Sequence, residues 1–185
     1  MNKLSEEIIN KIAELAKNEP EFLDLKAHNL RAKTMLLLEG KKADEVYYVK
    51  SGCIRAYREM ERRDYTDHFY FSGEVCVPFY SFFNNSPSLL SIETIEPSLI
   101  ISLPKVKLGS LCNKYKYFNS IFHQMQSDFL GYHILRCARL ATLSIDERHQ
   151  YLIDTNSQVL ELKDRYVASY IGADRGYFNR VRNDK

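Results

Sequence analysis

Reactive chemistry concentrates at the C-terminus, where residues 175–185 read RGYFNRVRNDK and present Arg175, Tyr177, Asn179, Arg180, Arg182 and Lys185. A guanidinium fork matches guanine O6 and N7 or a phosphate, and a carboxamide pairs with adenine. A helix face carrying these groups can therefore read a DNA major groove. Phe178 and Val181, three apart, would form the buried side of that helix. The same residues also suit a solvated basic helix end. Just upstream, Val167, Ala168 and Ile171 give a preceding helix its apolar face, Gly172 supplies a sharp reversal, and Asp174 can cap the second helix. Two short helices around a tight turn make a helix-turn-helix pattern. Charge agrees with it: from Lys163 onward, Lys163, Arg165, Arg175, Arg180, Arg182 and Lys185 stand against Asp164, Asp174 and Asp184, a surplus of three.

Elsewhere the side chains lack catalytic or metal-ligand spacing. Cys53, Cys76, Cys112 and Cys137 are scattered without a CxxC pair and read as mostly buried thiols. His28, His68, His123, His133 and His149 form neither HxH nor HExxH. No metal or other cofactor is expected, and the chain does not read as an enzyme. Its 185 residues are 45% hydrophobic, enough for a real core, with a net charge of +2. Apolar runs such as Ser98 to Leu103 are too short to span a bilayer, and the N-terminus MNKLSEEIINKIAEL is amphipathic, unlike a signal peptide. A cytoplasmic protein with no membrane partner is expected.

The elements that must position the basic tail follow from periodicity. Leu4, Ile8, Ile9, Ile12 and Leu15 predict one amphipathic helix over residues 4–18. From about Leu23 to Pro104 the pattern changes to short β-type runs, including VYYVKSG, CIRAYRE, YTDHFYF and SLIISL, with Gly40, Gly52 and Gly73 at the breaks. Regular short strands predict a barrel or sandwich. Beyond Pro104 the helical period returns: Phe118, Phe122, Met125, Phe129 and Tyr132 form one stripe, and Leu130, Ile134, Cys137 and Ala141 a neighbouring one. Two stripes imply two packing partners, so a self-pairing seam involving Phe122, Met125, Phe129, Leu130, Ile134 and Cys137 predicts a homodimer. The other reading places both stripes in one intramolecular core. Ser144 followed by Glu147 predicts a capping box opening a new helix.

This order of parts resembles the Crp/Fnr family of bacterial transcription regulators. LLLEGKKADEVYYVKSGCIRAY is similar to that family's barrel entry, YFSGEVCVPFYSF to its glycine-led ligand cassette, LSIDERHQYLI to its hinge, and ASYIGADRGYFNRVR to its recognition unit. The resemblance implies an α+β fold. A double-stranded β-helix, or jelly-roll, barrel with its N-terminal helix would occupy residues 1–110, a long dimerisation helix 111–143, and a minimal helix-turn-helix 144–185. It also implies double-stranded DNA and a second copy of the chain as partners, with a small-molecule effector in the barrel. The alternative is a ligand- or protein-binding barrel whose degenerate tail no longer binds DNA.

Departures from the family pattern refine these expectations. Where cyclic-nucleotide-binding members carry Gly-Glu and Arg-Ser or Arg-Thr pairs, this chain has Val77-Pro78 and about Ser88-Leu89. A buried phosphate without its arginine would cost roughly several kcal/mol, so cyclic AMP is not expected as the ligand. Tyr80, Ser88, Ser91 and His133 would instead line a small polar effector pocket, unless the barrel is packed and empty. The cysteine cluster of the iron–sulfur members is absent, and no Cys/His arrangement matches the haem sensors. The sequence ends four residues beyond Val181, so the β-wing of many relatives is expected to be missing. Gly176 takes the place of a common base-reading glutamate.

Overall fold

Runs rich in β-branched and aromatic residues between Lys26 and Pro104 form eight strands: β1 Lys26–Leu30, β2 Met35–Leu37, β3 Glu45–Ser51, β4 Cys53–Met60, β5 Arg63–Phe71, β6 Val75–Cys76, β7 Ser91–Thr94 and β8 Ser98–Pro104. The computed structural model describes residues 25–61, 63–176, 178 and 180, and nearer the N-terminus positions 5, 7, 9–11 and 14, which are helical. Strand order is β1-β8-β3-β6 in one antiparallel sheet and β2-β7-β4-β5 in the other. Apart from the β4–β5 pair, the chain alternates between the sheets, which is the jelly-roll way of closing a sandwich.

Helices join the strands in an α+β architecture: α1 Phe79–Asn84, α2 Lys105–Lys114, α3 Lys116–Thr142, α4 Ile145–Thr155 and α5 Asp164–Ile171, with a 3-10 segment at Ser157–Glu161. The helical stretch expected from residue 111 starts earlier and is interrupted. Tyr115 is extended (φ −129°, ψ 105°), so α2 ends there and the long helix begins at Lys116. The box at the start of α4 forms as expected: Glu147 N–H donates to Ser144 Oγ at 3.3 Å, and Ser144 N–H donates to Glu147 Oε2 at 2.7 Å. The Ser144 N–H and the Ser144 hydroxyl, which donates to the same Oε2 at 2.8 Å, hold the Glu147 carboxyl below its usual range.

Two apolar clusters share one sheet. Inside the sandwich, Val49, Ile54, Ile92 and Ile100 pack with Leu111, Phe118 and Met125 from α2 and α3. On the outer face of the same β4–β5 pair, Cys53, Phe69 and Phe71 pack with Leu152, Val167, Tyr170, Ile171 and Phe178. That double coverage explains why Cys53 through Tyr57 are all buried, rather than alternating as in a strand with one wet face. Among the described residues, no helix is long and apolar enough to cross a membrane.

Gly52 makes the turn that carries the chain from β3 in one sheet to β4 in the other at φ +87°, and a Cβ there would lie 2.3 Å from Ser98 Oγ and 2.7 Å from the Pro97 carbonyl oxygen. Gly40 (φ +83°) and Gly73 (φ +89°) share the left-handed backbone but have open space around them. An alanine at Gly40 or Gly73 is expected to cost about 1–2 kcal/mol for its backbone alone. Gly52→Ala should lose about 1–3 kcal/mol more, because the neighbouring backbone must shift. Urea unfolding of the three variants checks this, and equal losses would show that the close approach at Gly52 is not a constraint.

Candidate functional site

A cavity of about 370 Å³ lies between the inner face of β4–β5, the segment around α1, and α3. Its walls are mainly apolar, with Ala56, Val77, Phe79, Leu90, Ile92 and Phe129 among them. A break in strand alternation supplies the polar end. Ala56 pairs with His68 and Tyr57 with Thr66, leaving Asp67 as the extra residue of a β-bulge. Up to the bulge, Tyr65 and Asp67 face the cavity while Thr66 faces away; beyond it Tyr70 lines the cavity and Phe69 joins the outer cluster. The bulge thus aims a carboxylate into a space that uninterrupted alternation from Phe69 would have denied it.

Of the four residues expected at an effector pocket, Tyr80, Ser88 and His133 line this cavity together. Ser91 does not. Alternation along β7 turns Ile92 inward, and Ser91 Oγ instead accepts the Glu39 N–H at 2.9 Å. Tyr80 sits at the exposed rim, whereas Ser88 is buried and donates to the Leu90 carbonyl at 2.7 Å. His133 Nε2 stands 3.5 Å from Asp67 Oδ2, and its ring packs on Phe129 with centroids 4.1 Å apart. Burial raises the Asp67 carboxyl pKa and lowers that of the His133 imidazole, so both groups ionise less readily than in water. Val77, Pro78, Ser88 and Leu89 also line the cavity.

The arginines near this space have other partners. Arg58 lines the cavity but is half exposed, and its Nε donates to Glu39 Oε1 at 3.0 Å. Arg55 points to the opposite face of the sheet. There it donates to Glu93 Oε1 at 2.7 Å, Asp64 Oδ2 at 2.6 Å and Thr66 Oγ1 at 3.3 Å, with its guanidinium 4.7 Å from the Tyr166 ring centre. Arg136, buried on α3, donates through Nη2 to the Thr66 carbonyl at 2.7 Å and the Tyr170 carbonyl at 2.8 Å.

The six residues predicted for a dimer seam divide between two faces of α3. Phe122 and Met125 are buried in the chain's own core, and Phe129 packs against it, so these three serve intramolecular packing. Leu130 and Ile134 are 60% and 61% exposed, Cys137 is exposed, and Leu135 beside them is 60% exposed. The helix thus carries two different stripes, one covered and one bare.

At the C-terminal end, Gly172 turns α5 with φ 71°, and Asp174 Oδ1 accepts the Gly176 N–H at 2.8 Å. Arg175, Gly176, Phe178 and Arg180 are helical, with Phe178 buried and both arginines exposed. Arg175 borders a cleft that also holds Lys33, Lys163 and Arg165, with Glu161 and Asp164. Tyr177, Asn179, Arg182 and Lys185 lie outside the described residues. The residues that sequence reasoning missed are Asp67, Tyr65 and Lys33. Asp67 had a signal, a lone acid inside the aromatic strand YTDHFYF; Lys33 had none, being distant in sequence. Among the described residues, no three His, Cys, Asp or Glu side chains are grouped to hold a metal ion.

Comparison with known proteins agrees with this architecture. Residues 27–115 match the family model of the cyclic nucleotide-binding domain. No curated protein sequence matches the chain. Among solved structures, FixK2 from Bradyrhizobium japonicum is similar with a TM-score of 0.75 at 18% identity, covering 86% of this chain and 83% of that one. The c-di-GMP responsive global regulator CLP of Xanthomonas campestris is similar at 0.72 and 18% identity, over 88% and 86% of the two chains. A CooA mutant from Carboxydothermus hydrogenoformans is similar at 0.71 and 16% identity, over 86% and 75%. Residues 27–115 are thus similar to a cyclic nucleotide-binding domain, and the chain shares the overall fold of these solved structures.

His68, next to Asp67, has its Nδ1 shut off from solvent without a hydrogen-bond partner, and its ring lies 4.5 Å from Tyr70 and 4.8 Å from Tyr132 between centroids. Burial, with the His133 and Arg136 charges behind it, pushes its pKa down to about 3 from 6.5. Between those values the unfolded chain binds a proton that the folded chain refuses. This contribution to stability is thus complete above pH 6.5 and lost as pH falls toward 3. His68→Phe should remove it. The stability of the native chain is expected to decline relative to this variant between about pH 7 and 5, approaching about 1.4 kcal/mol per pH unit. Parallel pH dependence in urea titrations of the two proteins would contradict the assignment.

Proposed function

We propose that this chain is a Crp/Fnr-type transcription regulator rather than an enzyme: an effector-sensing barrel over residues 1–110, a dimerising helix over 111–143, and a DNA-binding helix-turn-helix over 144–185. The observation that carries the reading is the double use of β5. Tyr65 and Asp67 line the cavity, while Thr66 between them is tied to α5 by its N–H donating to Ser169 Oγ at 2.8 Å. Occupancy of the cavity would shift β5 and with it the helix in front of Arg175, which biases the placement of the basic face. Two such faces, paired through Leu130, Ile134 and Cys137, would meet palindromic half-sites about 34–36 Å apart. Arg175, Tyr177, Asn179, Arg180, Arg182 and Lys185 form the proposed DNA face, with Lys33 adding positive charge beside Arg175. Cytoplasmic residence follows from this role. The second reading, a binding barrel with a tail that does not engage DNA, draws support from Gly176, which weakens the last helix by about 1 kcal/mol relative to alanine.

Two measurements test the proposal. The protein should sediment as a dimer at micromolar concentration and Ile134→Glu as a folded monomer; a monomeric native chain, or a variant that still dimerises, would remove the exposed seam from the account. Duplexes selected from a random pool should be bound in a salt-dependent way. Arg175→Ala is expected to cost about 1–3 kcal/mol on the selected site, and Arg180→Ala either a similar amount or a uniform loss with the salt slope reduced by about one. Absence of salt-sensitive binding to any duplex would favour the second reading.

A further inference from the structure

From the cavity we infer the chemical class of its ligand: an uncharged, predominantly apolar small molecule, ring-sized, carrying one hydrogen-bond-donating head group directed at Asp67 and His133. This rests on the reading of the barrel as a sensor. The volume, about 370 Å³, is at the small end of ligand sites, which run from about 300 to 1,000 Å³. Phe79, Leu90, Ile92 and Phe129 offer a surface that favours an apolar body, since each buried methylene contributes about 0.8 kcal/mol.

The polar groups are gathered at one side. Asp67, His133 and Tyr65 come from the bulged strand and the facing turn of α3, and Asp67 accepts hydrogen bonds when ionised. A hydroxyl would donate to that carboxylate and accept from the Nε2–H of His133, a nitrogen that has no hydrogen-bond partner. An anionic group would meet the reverse. Arg58 is engaged by Glu39 at the exposed rim, Arg55 by Glu93 and Asp64 on the far side of the sheet, and Arg136, outside the lining, by two carbonyls, touching the cavity wall only at the Tyr65 hydroxyl, 3.4 Å from its Nη2. A carboxylate or phosphate would therefore enter an apolar space beside Asp67 without a dedicated cation, an arrangement that desolvation makes unfavourable.

Three probes of one shape separate these chemistries: 1-naphthol, naphthalene, and 1-naphthoate. The chain has no tryptophan, so naphthyl fluorescence excited beyond tyrosine absorption reports binding directly. At neutral pH 1-naphthol is expected to saturate the protein in the micromolar range, about tenfold more tightly than naphthalene, with naphthoate and cyclic AMP weaker still. Asp67→Asn should narrow the gap between naphthol and naphthoate, and Ala56→Leu, which fills part of the cavity by a small step, should weaken all three. Tighter binding of naphthoate or cyclic AMP than of naphthol would overturn the inference. So would the absence of saturable naphthol binding, or binding lost in Ile134→Glu but unchanged in both cavity variants, which would locate the probe on the bare stripe of α3. Because no DNA is present, failure of DNA binding leaves this result intact, and a DNA-binding protein that takes no neutral probe would refute the ligand class alone.

Discussion

Arg136 holds together parts of the chain that are far apart in sequence. It stands in the C-terminal third of α3, is 5% exposed, and gives one guanidinium nitrogen to the carbonyls of Thr66 on β5 and Tyr170 on α5. Burying a guanidinium is costly, and here the cost is offset by carbonyl dipoles and by the Tyr170 ring, 4.2 Å from the charge. Tyr170 and Ile171 are the last residues of α5, where carbonyls lack helical partners and the helix dipole is negative. Arg148 reaches the Ile171 carbonyl from α4, so two arginines close the end of the helix that leads into the basic tail. Without these two cations the turn at Gly172 would begin from unsatisfied backbone.

The sheet beside Arg136 and the cavity has work for both faces. A single-residue bulge at Asp67 lets β5 contribute Tyr65, Asp67 and Tyr70 to the cavity side while sending Thr66, Phe69 and Phe71 toward α5. Thr66 Oγ1 and Ser169 Oγ lie 2.8 Å apart, and Ser169 Oγ also donates to the Asp64 carbonyl at 3.0 Å. A sub-ångström change at Asp67 therefore has no soft layer in which to dissipate, because packed interiors transmit displacement.

The fold was largely legible from the sequence because its signals are local. Glycine-punctuated β runs, the capping box at Ser144 and Glu147, and the reversal at Gly172 each depend on neighbouring residues, and each is found where the pattern put it. The two stripes of α3 were equally clear, but not their assignment. Periodicity gives the angle between Phe129 and Leu130, and only the position of the barrel decides that Phe129 is covered and Leu130 bare. The cavity was half legible: Tyr80, Ser88 and His133 come together, whereas Ser91 is spent on the Glu39 backbone. Asp67 escaped because a bulge reverses strand parity, and its existence depends on the pairing register with β4.

The long helix is the element on which these pieces converge. Within two turns it presents Phe129 and His133 to the cavity, Tyr132 to the Tyr170 hydroxyl, Arg136 to the backbone of α5, and Leu130 and Ile134 to solvent. An α-helix of that length is stiff, with 1.5 Å of rise per residue and no proline to bend it. A rotation that moves His133 relative to Asp67 must also move Arg136 relative to α5 and turn the bare stripe. If that stripe is the seam between two copies, a ligand in one cavity is felt by both basic faces through a single rigid body, without any contact between the cavity and DNA.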